Sequence, residues 1–88
     1  MPQYYFHLRD HKERLLDPQG REIRSPDEIA QIALNEVRGI MSQDILTGRL
    51  DLRQRLEVED KLGKIVHSLR FSDAIKIIDG GLSIKIGR

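Results

Sequence analysis

Residues 25–41, Ser25-Pro26-Asp27-Glu28-Ile29-Ala30-Gln31-Ile32-Ala33-Leu34-Asn35-Glu36-Val37-Arg38-Gly39-Ile40-Met41, decide the fold. Ser25 has a side-chain oxygen suited to accept an early helical N–H. Pro26 loses nothing at the first helical position, where its missing donor would be unpaired anyway. Glu28 stands where a capping-box acid reaches back to the Ser25 amide, and with Asp27 it complements the positive end of the helix dipole. Beyond this start, Ile29, Ile32, Ala33, Val37, Ile40 and Met41 recur at helical spacing and form one apolar stripe. The spacing predicts a long helix over 25–47 with this stripe laid on a sheet. Gly39 costs the helix something, and close approach to a strand is the expected reason. Gly48 is expected to stop it, with Arg49 near the negative end of the dipole. Asp44, on the stripe's continuation, reads as a sign of fraying or a kink rather than as an active carboxylate.

The segments on either side read as strands. Tyr4, Phe6 and Leu8 alternate with Tyr5, His7 and Arg9, and the first set is expected to face the core. Asp10 to Arg14 reads as a charged loop. Asp17-Pro18-Gln19-Gly20 is a turn with Asp first, Pro second and Gly fourth, after which Ile23 resumes an extended segment. On the far side of the helix, Leu56 and Val58 alternate with Arg55, Glu57 and Glu59. Asp60-Lys61-Leu62-Gly63 repeats the reversal signal, and Lys64 to Phe71 returns with Ile65, Leu69 and Phe71 on one face. Ser72-Asp73 either caps a brief helical turn or ends the strand.

The fold class is therefore α+β: an antiparallel sheet of about four strands with one long helix on one face, in a single domain over 1–79. Residues 80–88 form a C-terminal tail or edge strand. There Leu82, Ile84 and Ile86 alternate with Ser83, Lys85 and Gly87. They fit a last edge strand, a strand lent to a neighbouring subunit, or a tail.

Composition narrows the function classes. The 88 residues carry 15 basic and 14 acidic side chains, a net charge of +1 and no cysteine. No disulfide or thiolate chemistry is available, which fits a reducing compartment. The opening lacks the basic region and apolar stretch of a signal peptide, and no run is long enough to span a bilayer. A cytoplasmic location away from membranes is expected.

His7 and His11 are four apart, but that spacing aligns ligands only on a helix. His67 shares a face with Ile65 and Leu69 as a partly buried side chain. Ser25, Ser68 and Ser72 have structural roles, with no nucleophile elbow among them, and Gly80-Gly81 lacks the Lys-Ser/Thr of a phosphate loop. No catalytic residue, metal or cofactor is assigned, and a non-enzymatic protein is expected.

Two binding readings stay open. Tyr5, His7 and Arg9 would line the outer face of the first strand, and Arg38, Arg49, Arg53 and Arg55 could gather near the helix end, as nucleic-acid binders require. Asp51, Glu57 and Glu59 are interleaved with those arginines, the pattern of a solvated mixed-charge surface. The leading expectation is a protein-interaction module, with a homodimer or small protein partner and Leu82, Ile84 and Ile86 as edge-adding residues.

The opening Tyr4-Tyr5-Phe6-His7-Leu8-Arg9-Asp10 resembles a family of short bacterial proteins classed as a domain of unknown function. The D-x-x-G turn before the helix, Pro26-Asp27-Glu28, Leu50-Asp51-Leu52, Glu57-Val58 and Leu69-Arg70-Phe71-Ser72-Asp73-Ala74 extend the likeness over roughly residues 2–78. It implies this fold and a bacterial origin, and brings no activity or site residues. Family members often carry a small residue where His67 stands. In element order alone, the chain is also similar to antitoxin partners of toxin–antitoxin pairs, which implies a toxin-neutralising regulator as the alternative.

Overall fold

Ser25 Oγ accepts the Asp27 N–H at 3.3 Å, and its carbonyl accepts the Glu28 N–H at 3.0 Å. The cap therefore opens a single 3-10 turn, Pro26–Glu28, which leads into α1, Ile29–Leu46. These features come from a computed structural model that describes residues 2–80 and the backbone of residues 82–83. Ile29, Ala33, Val37 and Met41, each four residues apart, are the buried line of α1, with Ile32 and Ile40 packed beside it. The line ends there, since Ile45 and Leu46 are exposed. Gly48 takes φ +80° and gives its N–H to the Ile45 carbonyl, while the Arg49 N–H reaches the Asp44 carbonyl. That pair of bonds is a Schellman stop. It is the Asp44 backbone, not its carboxylate, that ends the helix.

Gly39 does not serve a close approach: a Cβ built there meets no heavy atom within 4 Å. The expected contact with a strand is absent because this position faces solvent, so the glycine only adds entropy to the unfolded chain. Gly39→Ala is expected to stabilise the domain by about 1 kcal/mol. A thermal melt should then rise by about 4–8 °C.

The sheet has five strands: β1 Gln3–Arg9, β2 Arg14–Leu15, β3 Arg21–Glu22, β4 Arg55–Glu59 and β5 Ile65–Arg70. Their order is β2-β1-β4-β5, with β3 also on β1, and every pair is antiparallel. Arg14, expected in a loop, is in β2. The core side holds Tyr4, Phe6, Leu56 and Val58 against α1, with Ile23, Phe71 and Ala74 closing its ends. Leu69 packs against this core, but Ile65 is exposed. A bulge explains the departure from the expected face. Val58 pairs with His67 and Glu59 with Ile65, so Val66 is an extra residue and the alternation breaks.

Both predicted reversals form. Asp60 Oδ1 accepts the N–H groups of Leu62 and Lys64 at 2.9 Å each, and Gly63 takes φ +84°. Phe71–Asp73 makes a 3-10 turn. At the C-terminal end, β6 Ile78–Asp79 pairs with β7 Leu82–Ser83 inside the chain. Ile84 and Ile86 lie outside the described residues.

Candidate functional site

Alternation along β1 and β4 puts Tyr5, His7, Arg9, Arg55, Glu57 and Glu59 on the face turned away from α1. Register then pairs them: Tyr5 with Glu59, His7 with Glu57, and Arg9 with Arg55. This face is not a uniformly solvated mixture. Glu57, expected among exposed charges, has a side chain only 4% exposed. Its Oε2 lies 3.3 Å from Arg9 Nη1 and 3.2 Å from Arg55 Nε, and its Oε1 is 3.8 Å from Arg14 Nε. Oε1 has no hydrogen-bond donor among the described residues. Three guanidinium groups therefore roof one carboxylate. Arg14 Nη2 also bonds Glu59.

His7 is 7% exposed and fully engaged. Its Nδ1 accepts the Asp17 N–H at 3.0 Å, so the ring proton is on Nε2, 3.4 Å from Glu59 Oε1. His7 is on the outer face, as alternation predicts, but the Asp17–Gly20 turn and Glu59 enclose it there. Tyr5 stacks on it at 6.4 Å between centroids, nearly parallel. The turn itself is tied to β1 by Asp17, whose Oδ2 accepts the Phe6 N–H at 3.1 Å between the short pairings of β2 and β3. Its Oδ1 accepts from Gln19 and Gly20 at 3.2 and 3.0 Å. Burial alone would raise the Asp17 carboxyl, but the donors of Gly20, Phe6 and Gln19 outweigh it and hold the group below the ordinary range.

Arg53 borders a cleft of about 270 Å³ with Arg9, Asp10, His11 and Arg55. It is held by Asp51 through two bonds of 2.9 Å from its Nε and Nη2. The Arg53 side chain first, and its backbone N–H second, hold Asp51 at about 2. Arg49 is exposed at the helix end and does not join this group. Arg38 does not join it either, since its Nε bonds the Ala74 carbonyl at 2.9 Å. Of the residues singled out in sequence, then, Tyr5, His7, Arg9 and Arg55 come together, Arg53 stands at their margin, and Leu82 is in the separate ribbon.

Sequence reasoning passed over Arg14, Arg70 and the central place of Glu57. Strand register alone aligns them: Arg9 pairs with Arg14 on one side and Arg55 on the other, and Arg55 pairs with Arg70. No spacing within a single segment carries that signal. Among the described residues, no three His, Asp or Glu side chains converge as metal ligands. No helix among them is long and apolar enough to cross a membrane.

No curated protein and no solved structure matches the chain. A family model described as a domain of unknown function, DUF6894, matches residues 3–72, from β1 to the turn after β5. The matched span holds the helix, the whole five-stranded sheet and every arginine around Glu57, and the chain belongs to that family.

Proposed function

We propose that the protein is a small non-enzymatic interaction module of the bacterial cytoplasm that pairs with a second copy of itself along the outer edge of β5. The observation that supports this reading is the state of that edge. Phe6 turns its N–H to Asp17, away from β4, so Tyr5, His7 and Arg9 exchange backbone bonds with β4. By the same alternation Leu56 and Val58 bond β5, and the Phe71 N–H to the Gln54 carbonyl at 3.0 Å obeys it too. Ser68 and Arg70 therefore direct their backbone groups outward, and no strand among the described residues pairs with them.

Sheet edges are usually blunted by short strands, charge, proline or bulges. The opposite edge is made of β2 and β3, two residues each, whereas β5 has six residues and a bulge only near its start. Leu62, Ile65 and Val66 are exposed beside that start, Leu62 at 92%. A twofold axis at Ser68 would pair two β5 strands antiparallel and set each Arg70 opposite a valine rather than another arginine, avoiding like charges face to face. The absence of cysteine suits the reducing cytoplasm.

Light scattering across a concentration series is the test. The mass should rise towards two chains. Ser68→Pro should return it to one chain while keeping the wild-type circular dichroism, because the N–H it removes points away from β4. A mass of one chain at every concentration would end this reading.

A further inference from the structure

We infer that the solvent face of the sheet is a binding site for the phosphate backbone of single-stranded nucleic acid, seated on one rung of arginines. The inference goes beyond the pairing of β5 and stands on a single protomer. Arg14, Arg9, Arg55 and Arg70 are direct partners across β2, β1, β4 and β5. At about 4.8 Å between strands, the row runs about 14 Å across the sheet.

Like charges directly opposite one another destabilise a sheet, so a row of four needs an explanation. Part of the compensation comes from beneath and from one end. Glu57 lies under Arg9, Arg14 and Arg55, Glu59 takes Arg14, and Asp73 Oδ2 takes Arg70 Nε at 2.9 Å. Four guanidinium groups thus meet three carboxylates, leaving the row one positive charge in excess.

The placement of the charges matters more than their sum. Glu57 and Glu59 are 4% and 16% exposed at the side chain, while the four arginines range from 40% to 65%. Arg9, Arg14 and Arg70 each give one of their five N–H groups to these carboxylates, and Arg55 Nε lies 3.2 Å from Glu57. Around Arg9, Arg14 and Arg55 the anions are held below the surface and cationic edges are presented above it; Asp73, which takes Arg70, is itself exposed. The overall charge of +1 conceals this arrangement.

Guanidinium edges in a row are matched by a chain of phosphates, each able to take two parallel N–H bonds. The cleft beside Arg9 and Arg55, in the middle of the row, is also lined by Asp10, His11 and Arg53. Half-buried Tyr5 is on the same face, two rungs from Arg9. A duplex is a poorer fit, because reading its grooves needs a helix or a ribbon that projects. Here the helix lies on the opposite face, and a single strand can lie along the row.

The probes are a labelled 20-nucleotide oligo(dT) and a 20-base-pair duplex, followed by fluorescence anisotropy at several salt concentrations. The single strand should bind at low salt, with log K falling against log salt at a slope of about −2.8 for four phosphate contacts. Arg70→Gln, at a guanidinium that pairs only with Asp73 among the described residues, should lessen that slope by about 0.7. The pair Arg9→Gln with Glu57→Gln removes one cation without stranding a buried carboxylate, and should weaken binding further. Arg24→Gln, an exposed arginine off the row, is the control for net charge and should leave binding unchanged. No binding at low salt, tighter binding of the duplex, or an Arg24→Gln effect equal to that of Arg70→Gln would each overturn the inference. The mass measured by light scattering for the β5 pairing bears on neither result.

Discussion

Gly20→Ala is expected to lower the stability of the domain by about 2–5 kcal/mol, a large share of what a chain of this size has. Two independent costs add. Gly20 holds φ +70°, a left-handed conformation that costs a residue with a Cβ about 1–2 kcal/mol. A Cβ there would also lie 2.8 Å from Tyr5 Cε2 and 2.9 Å from the Tyr4 carbonyl oxygen. The Tyr5 ring could swing away only by breaking its stack on His7, and the carbonyl belongs to the β1 backbone. Crowding of this kind adds about 1–3 kcal/mol. Urea denaturation should show a lower midpoint with an unchanged slope. Gly48→Ala makes a useful comparison, because Gly48 has a similar φ of +80° but open space around it. It should lose the conformational part alone. Equal losses at the two glycines would show that the contact with Tyr5 carries no weight.

Asp17→Ala is expected to cost about 2–3 kcal/mol at neutral pH, since it leaves the part-buried Phe6 N–H without its acceptor and undoes the turn bonds to Gln19 and Gly20. The acid limb of the stability curve provides a second readout. The folded-state pKa of Asp17 is below its unfolded value near 3.8, so its contribution is complete above that value and is lost as pH falls through the folded one. Asp51, held at about 2, acts with the same sign. Wild-type stability should therefore decline from just above pH 3.8 towards pH 2. Asp17→Asn, which keeps the Oδ1 contacts but cannot accept at the second position, should start lower at pH 7 and decline less on acidification. An identical slope in both proteins would mean that Asp17 is not ionised against those N–H groups.

The arginine row shows why the surface was less legible than the core. Tyr4, Phe6, Leu56 and Val58 declare their face through alternation within their own strands, and their burial follows. Arg9 and Arg55 were visible as basic residues for the same reason. That they stand opposite each other, with Arg14 and Arg70 continuing the line, depends on the register between segments up to 61 residues apart, from Arg9 to Arg70. His7 is on the outer face that alternation assigns it, but alternation does not say what folds over that face. The Asp17–Gly20 turn that covers it is recognisable as a turn, yet its direction is set by the bond from Phe6 to Asp17.

By itself the order of residues determined the serine–proline helix start, the glycine stop, the two aspartate-led reversals and the inward sides of β1 and β4. All are local matters of dihedral preference and periodicity, settled within a few residues. Tertiary structure alone decided that Glu57 is buried under three guanidinium groups, that four arginines form one rung, and that β5 is left at the edge. Those outcomes depend on which strands become neighbours and in what register, and that choice is made by the packing of the whole sheet on α1.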